Sequence, residues 1–407
     1  MTFQYNRHSR IGQDRPHSAF WDASSDVTDT SNLQISIVTD IQVIEQAWRR
    51  LEQRAPSTIY QKFDFCAAWL STLGVSSGAH ASVITGWVGE ELVLLLPLCT
   101  RKFAGLRETQ FIGGSHANYN LPLIDPALAT SWTAADMDGL LANVRRNGLG
   151  SDLLCLSHMP LTWRGRPNLM AEGGKVDDVA AYSGRLDASY DELLRSKRSK
   201  SNRSKSRRKL SKLLESGTVV FSRVDNEADM VAAAREFVRQ KSERSRDQHI
   251  PSAFDDPAAG KFLVDLAVRS AGAGDPILEL YVLTIDGQIH AVFGGGAHQG
   301  RFSGCFTSFR DSELARYAPG EHLLNFVVQN CCDRQLREFD LGVGDSAYKK
   351  NWCETREPMA HRHIAQSLKG QLALAMLQPL GRLKQWIKRS PRRMQLVNRI
   401  RLLRPSA

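Results

Sequence analysis

Two stretches of this sequence carry residue types suited to chemistry on an anionic substrate. Tyr317-Ala318-Pro319-Gly320 follows an expected strand, Phe302 to Phe309, and leads into an expected helix. Pro319 and Gly320 let the chain turn and start that helix, whose first N–H groups lack internal partners and so attract a phosphate. The next strand ends in Asp340-Leu341-Gly342-Val343-Gly344, at the kind of strand end where open α/β sheets place their chemistry. Asp340 there can bind an acceptor or act as a general base, or simply cap the turn before Gly342. Tyr348 can return a proton to a leaving group or stand as a half-buried structural tyrosine. Lys349 can neutralise a phosphate or an oxyanion, or be a plain surface lysine. Trp352 reads as a core or cleft wall.

Other candidates point away from chemistry. His290 sits in an alternating segment, Gln288 to Phe293, as a satisfied strand histidine would. Gly294-Gly295-Gly296 runs on into His298 and another strand rather than a helix, so it marks a bulge or close backbone approach, not a nucleotide loop. The seven cysteines have no regular spacing, which gives no disulfide framework and no paired Cys-x-x-Cys metal site. Cys331 and Cys332 are adjacent on an expected helix and point to different faces. His361-x-His363 lacks a nearby carboxylate or cysteine pattern to complete a site, so no metal is expected.

The elements that must position these residues belong to an ordinary globular chain of 407 residues, 42% hydrophobic and 24% charged, long enough for two cores. No apolar run reaches the length of a membrane span. Residues 1–32 are polar and read as a disordered tail. Two halves share an outline. The first, 33–182, has strands at Ile35 to Val38, Ala81 to Val88, Leu92 to Cys99, Thr109 to Ile112 and Asp152 to Leu156, with helices through Trp48, Phe65 and Asp136 to Arg146. The second, 183–365, has a basic helix, a strand at Val219 to Val224, and helices at Glu227 to Lys241 and Gly260 to Ala271. Strands Leu278 to Ile285 and Gln288 to Phe293 then pair across Asp286-Gly287, a two-residue turn needing positive φ. The expected fold is α/β (α+β), two similar units of mixed, mainly antiparallel sheet flanked by helices.

The net charge of +10 is unevenly spread. Arg195 to Lys212 holds ten Lys or Arg and no acid, and His361 to Ala407 holds eleven and no acid. The remainder is acidic. The first run reads either as a solvated helix or as an electrostatic funnel for an anionic ligand. It has no interleaved aromatic residue for base stacking, so nucleic acid is not the expected partner. In the second, 366–407, Leu368, Leu372, Ala375 and Met376, then Leu380, Leu383, Trp386 and Ile387, make apolar stripes. Arg382, Lys384, Lys388, Arg389, Arg392 and Arg393 flank the latter stripe, as in a helix lying on an anionic membrane or protein surface. The expected location is a reducing cytoplasm, with peripheral contact at the inner membrane face.

The order of hairpin, third strand, glycine-bearing turn, helix and strand is similar to the GNAT acyltransferase core. Asp286-Gly287, Tyr317-Ala-Pro-Gly320, Asp340-Leu-Gly-Val-Gly344 and Tyr348-Lys349 with Trp352 resemble the acetyltransferase family named after the cellulose-biosynthesis protein CelD, itself similar in architecture to FemX-type transferases. Ser57-Thr58-Ile59-Tyr60-Gln61, Trp69, Pro97-Leu98 and Phe111-Ile112-Gly113-Gly114 match its style, so the resemblance covers about Leu33 to Ile364. It implies tandem GNAT-like domains: a degenerate first one, and a second, acyltransferase domain using acetyl-CoA or another acyl-CoA. Two departures stand out. Ala318 replaces a serine common in the family, and the Gln/Arg-x-x-Gly-x-Gly/Ala pyrophosphate loop of typical GNAT enzymes is absent.

Acyl transfer from a thioester needs a donor held along a strand edge, a positioned acceptor and a path for the acceptor's proton. Phe306, Thr307 and Ser308 would offer strand backbone to the pantetheine arm. Gly320, Glu321 and His322 would present N–H groups to the pyrophosphate beside Tyr317, with Arg310 or Arg316 adding charge. The expected acceptor is a sugar, polysaccharide precursor or other small amine or hydroxyl compound. Two other functions fit the same residues: a FemX-like aminoacyltransferase using charged tRNA, and a non-catalytic accessory protein of envelope polysaccharide synthesis.

Overall fold

A computed structural model describes residues 33–146, 148–186, 189–248 and 252–376. The N-terminal tail and the basic stripe from Leu380 onward lie outside the described residues.

The first half is built on two sheets. Strands β1 (Gln34–Val38), β2 (Val83–Val88) and β3 (Glu91–Leu96) join Leu123–Ile124 in a four-stranded sheet. Strands β4 (Leu98–Phe103), β5 (Leu106–Phe111) and β6 (Leu153–Pro160) form the middle of a six-stranded one. The apolar run Leu92 to Cys99, expected as one strand, is two strands in different sheets. Pro97 divides them because it has no N–H to donate to a ladder. Ala81 to Val88 divides likewise at Ser82, with His80–Ala81 pairing β4. Helices α1 (Glu45–Arg54), α2 (Phe63–Trp69) and α3 (Ala134–Arg146) cover these sheets, α1 burying Ala47, Trp48 and Leu51.

The second half is one seven-stranded sheet. It is assembled from β7 (Ala181–Arg185), β8 (Val219–Val224), β9 (Glu279–Ile285), β10 (Gln288–His298), β11 (Arg301–Phe309), β12 (Glu338–Val343) and β13 (Thr355–Glu357), in spatial order β8-β9-β10-β11-β12-β7-β13. The β9–β10 hairpin turns at Asp286 (φ 50) and Gly287 (φ 77), both left-handed as a type I′ turn requires. Helices α4 (Tyr190–Lys197) and α5 (Lys200–Leu214) precede β8; α6 (Glu227–Gln248) and α7 (Pro257–Ser270) follow it, and α8 (Pro319–Asp333) links β11 to β12. Leu323, Leu324, Val327, Val328 and Cys331 form the buried face of α8, the helical spacing expected from sequence.

The sheets do not divide where the sequence halves were drawn. β7 begins at Ala181, before residue 183, and already pairs with β12. Strand β14 (Met359–Ala365) leaves the second half and pairs antiparallel with β6, covering what would otherwise be an open edge of the first half's sheet. Phe65 of α2 meets Phe262 of α7 edge-on, with ring centroids 5.4 Å apart, so one buried core spans both halves. The fold is α/β (α+β), with mixed, mainly antiparallel sheets flanked by helices.

Candidate active site

The site grows from a single irregularity in the second sheet. β11 and β12 are its parallel pair, and they stay together for only three rungs: Arg301 with Glu338, Phe302 with Phe339 and Ser303 with Asp340. Beyond Ser303 and Asp340 the strands separate, β11 continuing to Phe309 and β12 to Val343. A wedge opens between them. Gly304 stands at its apex, where a Cβ would come within 3.0 Å of the Asp340 carbonyl oxygen. Cys305 is the extra residue of a bulge: Gly304 pairs with Gly295 and Phe306 with Gly294, leaving Cys305 unmatched. A bulge twists a strand and re-aims its groups, and bulges gather beside active sites.

The mouth of the wedge is the start of α8. Ala318 is held at φ 58 and Pro319 occupies the first helical turn, where its missing N–H costs nothing. Gly320 packs against the Phe309 ring, which a Cβ would meet at 3.3 Å. Glu321 and His322 were expected to offer N–H groups here, yet both donate to the Ala318 carbonyl, at 3.0 and 3.2 Å. Among the three, the Gly320 N–H is left for an anion. This strand, splayed edge and helix start coincide with a match to the acetyltransferase (GNAT) domain family over residues 200–350.

Residues 200–350 form a GNAT domain.

Solved structures resemble the chain beyond that domain. FemX matches with a TM-score of 0.55 at 13% identity, covering 80% of this chain and 96% of its own. A conserved protein of unknown function from Bacteroides thetaiotaomicron matches with a TM-score of 0.50 at 10% identity, covering 81% and 99%. A tandem GNAT protein from the clavulanic acid biosynthesis pathway matches with a TM-score of 0.46 at 11% identity, covering 82% and 99%. No curated protein matches the sequence. The first two likenesses show the fold, and the FemX one takes in both halves.

Within the GNAT domain, the side chains of the outer wedge arm are engaged in packing. The Phe306 ring lies 4.2 Å from that of Phe237, Ser308 Oγ donates to Gln240 Oε1 at 2.8 Å, and Thr307 Oγ1 donates to the Val292 carbonyl at 3.3 Å. Their backbone is what remains for a ligand. Arg310 does not supply free charge: its guanidinium donates to Gln288 Oε1 at 2.8 Å and to Glu236 Oε1 at 3.3 Å. Arg316 is exposed, stacked over the Tyr317 ring at 5.0 Å. His322 is 4% exposed with no partner for Nε2, and burial pushes its pKa down, so the ring is neutral.

Helix α5 lies against the turn that leads into α8. Just before α5, Arg198 donates to Glu321 Oε1 at 2.5 Å and stacks over Trp352 at 4.9 Å, which ties the basic segment to the helix start. Trp352 is thus a buried wall, as expected. Lys200, Lys205, Arg207, Arg208 and Lys209 have no acidic partner among the described residues. With Arg203, which donates only to the Arg195 and Arg198 carbonyls, the helix carries six cations without an acidic partner among the described residues.

The inner arm departs most from the sequence reading. Asp340 reads from sequence either as a carboxylate facing a cleft or as a cap on the turn before Gly342; it is 0% exposed. Its Oδ2 accepts from Arg301 Nε at 2.8 Å and Ser303 Oγ at 2.6 Å, and its Oδ1 accepts from the Gly342 N–H at 3.0 Å. Burial pushes its carboxyl up and Arg301 opposes this. Arg301 also grips Glu357 through two bonds of 3.0 Å, reaches Tyr119 Oη at 2.9 Å, and lies 4.7 Å over the Trp163 ring. Lys349 is not a surface lysine. Its Nζ is buried and donates to the Gly342 and Val343 carbonyls at 3.1 and 2.9 Å, pinning the C-terminal end of β12. Burial lowers its pKa. Tyr348 is 40% exposed.

The first half supplies the remaining wall, which the sequence reading missed. Asn118 Oδ1 accepts from the Val343 N–H at 3.3 Å, and Gly342, at φ 66, turns so closely past Asn118 that a Cβ would lie 2.4 Å from its amide. Tyr60 Oη receives the Asn118 amide at 2.8 Å. Residues 60, 118 and 119 meet residues 301–305 and 342–343 only because the halves dock face to face; no spacing in the sequence joins them. Of the expected residues, the structure gathers Asp340, Lys349 and the β11 backbone at the wedge. It leaves Arg310 on its far flank.

Proposed function

We propose that this chain is a CelD-like acyltransferase that uses acetyl-CoA or another acyl-CoA, in the cytoplasm or at its membrane face. The wedge between β11 and β12, with its Cys305 bulge and the Gly320 helix start at its mouth, carries this reading. The donor supplies an activated thioester carbonyl. A strand edge released from pairing offers N–H and C=O groups to an extended amide-bearing arm, while Gly320, Arg316 and the α5 cations favour the phosphates. Asp340 and Lys349 shape the wedge rather than act in the open: the first anchors Arg301 beneath its apex, the second clamps the β12 carbonyls. The acceptor, a small amine or hydroxyl compound such as a sugar or polysaccharide precursor, would enter from the first half's side, beside Asn118. It attacks the thioester directly, so no enzyme nucleophile is needed.

Release of free thiol from acetyl-CoA, followed across a panel of amino sugars and sugar alcohols, tests this reading. Thiol release that depends on one acceptor class supports it; release no faster than in buffer with every acyl-CoA and acceptor contradicts it.

A donor carried on RNA is the second reading, and the six cations of α5 without an acidic partner favour it. A stable complex with charged tRNA, lost when Lys205, Arg207, Arg208 and Lys209 become glutamine, would select it over the CoA reading.

A further inference from the structure

Far from the wedge, neighbouring strands of the first half end together, and what leaves them is apolar and basic. One rung crosses β14, β6, β5 and β4 through Ala365, Leu153, Glu108 and Arg101. Past it, β4 and β5 join in a hairpin turn at Ala104 (φ 51) and Gly105 (φ 79), and β14 runs into a helix over 368–376. Asp152, at the start of β6, ties the two together. Its carboxylate accepts the Arg107 N–H at 2.9 Å and the Ser367 hydroxyl at 2.6 Å, and its carbonyl accepts the Gln366 N–H at 2.9 Å. Gly370 lies so close to that carbonyl that no Cβ would fit, so the helix is seated firmly at its root.

The outward residues of this end are of a kind that folding usually covers. Phe103, at the hairpin, is 61% exposed; Leu368, Leu372 and Met376 are 77%, 63% and 69% exposed. The last three recur every four residues and form one stripe, on the side of the helix away from Gly370. Single exposed apolar residues are ordinary, whereas a group gathered at one end marks a contact surface. Cations surround the group. Lys102 and Arg107 flank the hairpin, Arg145 and Arg146 end α3 just before the chain enters β6, and Lys369 sits beside the stripe; all are exposed. Lys102, Arg107, Arg145 and Arg146 have no acidic partner among the described residues. The nearby acids are engaged: Glu108 pairs with Arg101 at 3.0 Å, and Asp152 is buried.

We propose that this end of the first half docks on the surface of an anionic phospholipid bilayer, with Phe103 and the 368–376 stripe entering the boundary between headgroups and acyl chains and the cations meeting lipid phosphates. The cations stand on three separate elements around an apolar centre, which suits a continuous sheet of negative charge. A second copy of the chain suits it poorly, because a two-fold contact through the stripe would bring like charges face to face. The sequence continues in the same vein: residues 377–407 hold nine Lys or Arg and no acid, interspersed with Leu380, Leu383 and Trp386. No described helix is long and apolar enough to cross a membrane, so the contact runs along the surface. The proposal does not depend on the acyl-CoA reading, and its test contains no CoA.

The test is flotation of the full-length chain with vesicles of phosphatidylcholine alone and of phosphatidylcholine mixed with phosphatidylglycerol. The chain should float with the mixed vesicles and stay behind with the neutral ones. Leu372→Asp and Phe103→Asp should each weaken that binding about tenfold, since each removes an apolar anchor and adds a charge that the lipid repels. Raising the ionic strength to about 1 M, where the Debye length shrinks to about 3 Å, should weaken it further. Both side chains face solvent, so heat unfolding of the variants should match the wild type. No binding to the mixed vesicles, or equal binding to neutral ones, overturns the proposal. Binding at the wild-type level by either variant does so too, because the contact would then belong to residues 377–407 alone. Earlier melting of Leu372→Asp with vesicle binding intact would show that the chain itself covers the stripe. A dimer in sedimentation velocity that Leu372→Asp splits, with no vesicle binding, would assign the surface to a second copy.

Discussion

Arg301 Nε donates to Asp340 Oδ2 at 2.8 Å beside the last rung that holds β11 and β12 together, with both side chains closed to solvent. One guanidinium thus ties the apex of the wedge to Glu357, Glu338 and the first half's Tyr119. Taking two charges from water is costly, and such a pair is repaid only when its remaining hydrogen bonds are met. Here Ser303 and the Gly342 N–H complete the carboxylate, and Glu357 completes the guanidinium.

Asp340→Asn keeps the shape and removes the charge. Arg301 keeps Glu357 and Glu338 as partners, so the loss is that of its bond to the buried charged carboxylate, about 1.5–3 kcal/mol. Urea unfolding of the variant should show a loss of that order. A change under about 0.5 kcal/mol would mean that the pair does not brace the wedge.

Glu52 gives a pH signature far from the wedge. It is buried and accepts the Phe63 N–H at 2.7 Å; burial pushes its carboxyl up to about 7 from 4.5. In the unfolded chain it ionises first, so the folded state holds more protons between these values. Stability therefore falls as pH rises from 4.5 to about 7 and stays level above, by roughly 3 kcal/mol in total. Glu52→Gln can accept the same bond without a charge. Heat unfolding should find it more stable than the wild type at alkaline pH and about equal in acid; the opposite order contradicts the assignment.

Lys349→Met removes the ammonium that clamps the Gly342 and Val343 carbonyls. Two charge-assisted bonds are lost, about 1.5–3 kcal/mol each at most. Amide hydrogen exchange should rise at β12 and spare β9. Uniform protection across the sheet would show that the clamp is idle.

Lys205, Arg207, Arg208 and Lys209 have no acidic partners, so their joint replacement by glutamine should leave stability within about 0.5 kcal/mol. Association with an anionic donor should slow, and its salt dependence should flatten. Stopped-flow binding at two ionic strengths reads both.

The order of the second half was legible because its signals are local. Asp286-Gly287 demands a hairpin, and Pro319-Gly320 demands a helix start. The helical spacing of Leu323, Val327 and Cys331 demands a buried face. What the sequence hid was long-range. Nothing local tells that Pro97 sends two halves of one apolar run into different sheets, or that β14 returns to the first half. Asp340 reads like an open strand-end carboxylate because Arg301 lies far along the chain. Tyr60 and Asn118 carry no motif at all; they reach the wedge through docking of the halves.

Heat unfolding with and without acetyl-CoA tests the central claim, that the parting of β11 from β12 is an acyl-CoA site. A ligand at one hundred times its dissociation constant stabilises a protein by about 2.7 kcal/mol. The site predicts a rise of that size with acetyl-CoA, and a smaller one when Gly320→Asp places a carboxylate at the mouth of the wedge. No shift with any acyl-CoA, or an equal shift in Gly320→Asp, would contradict it.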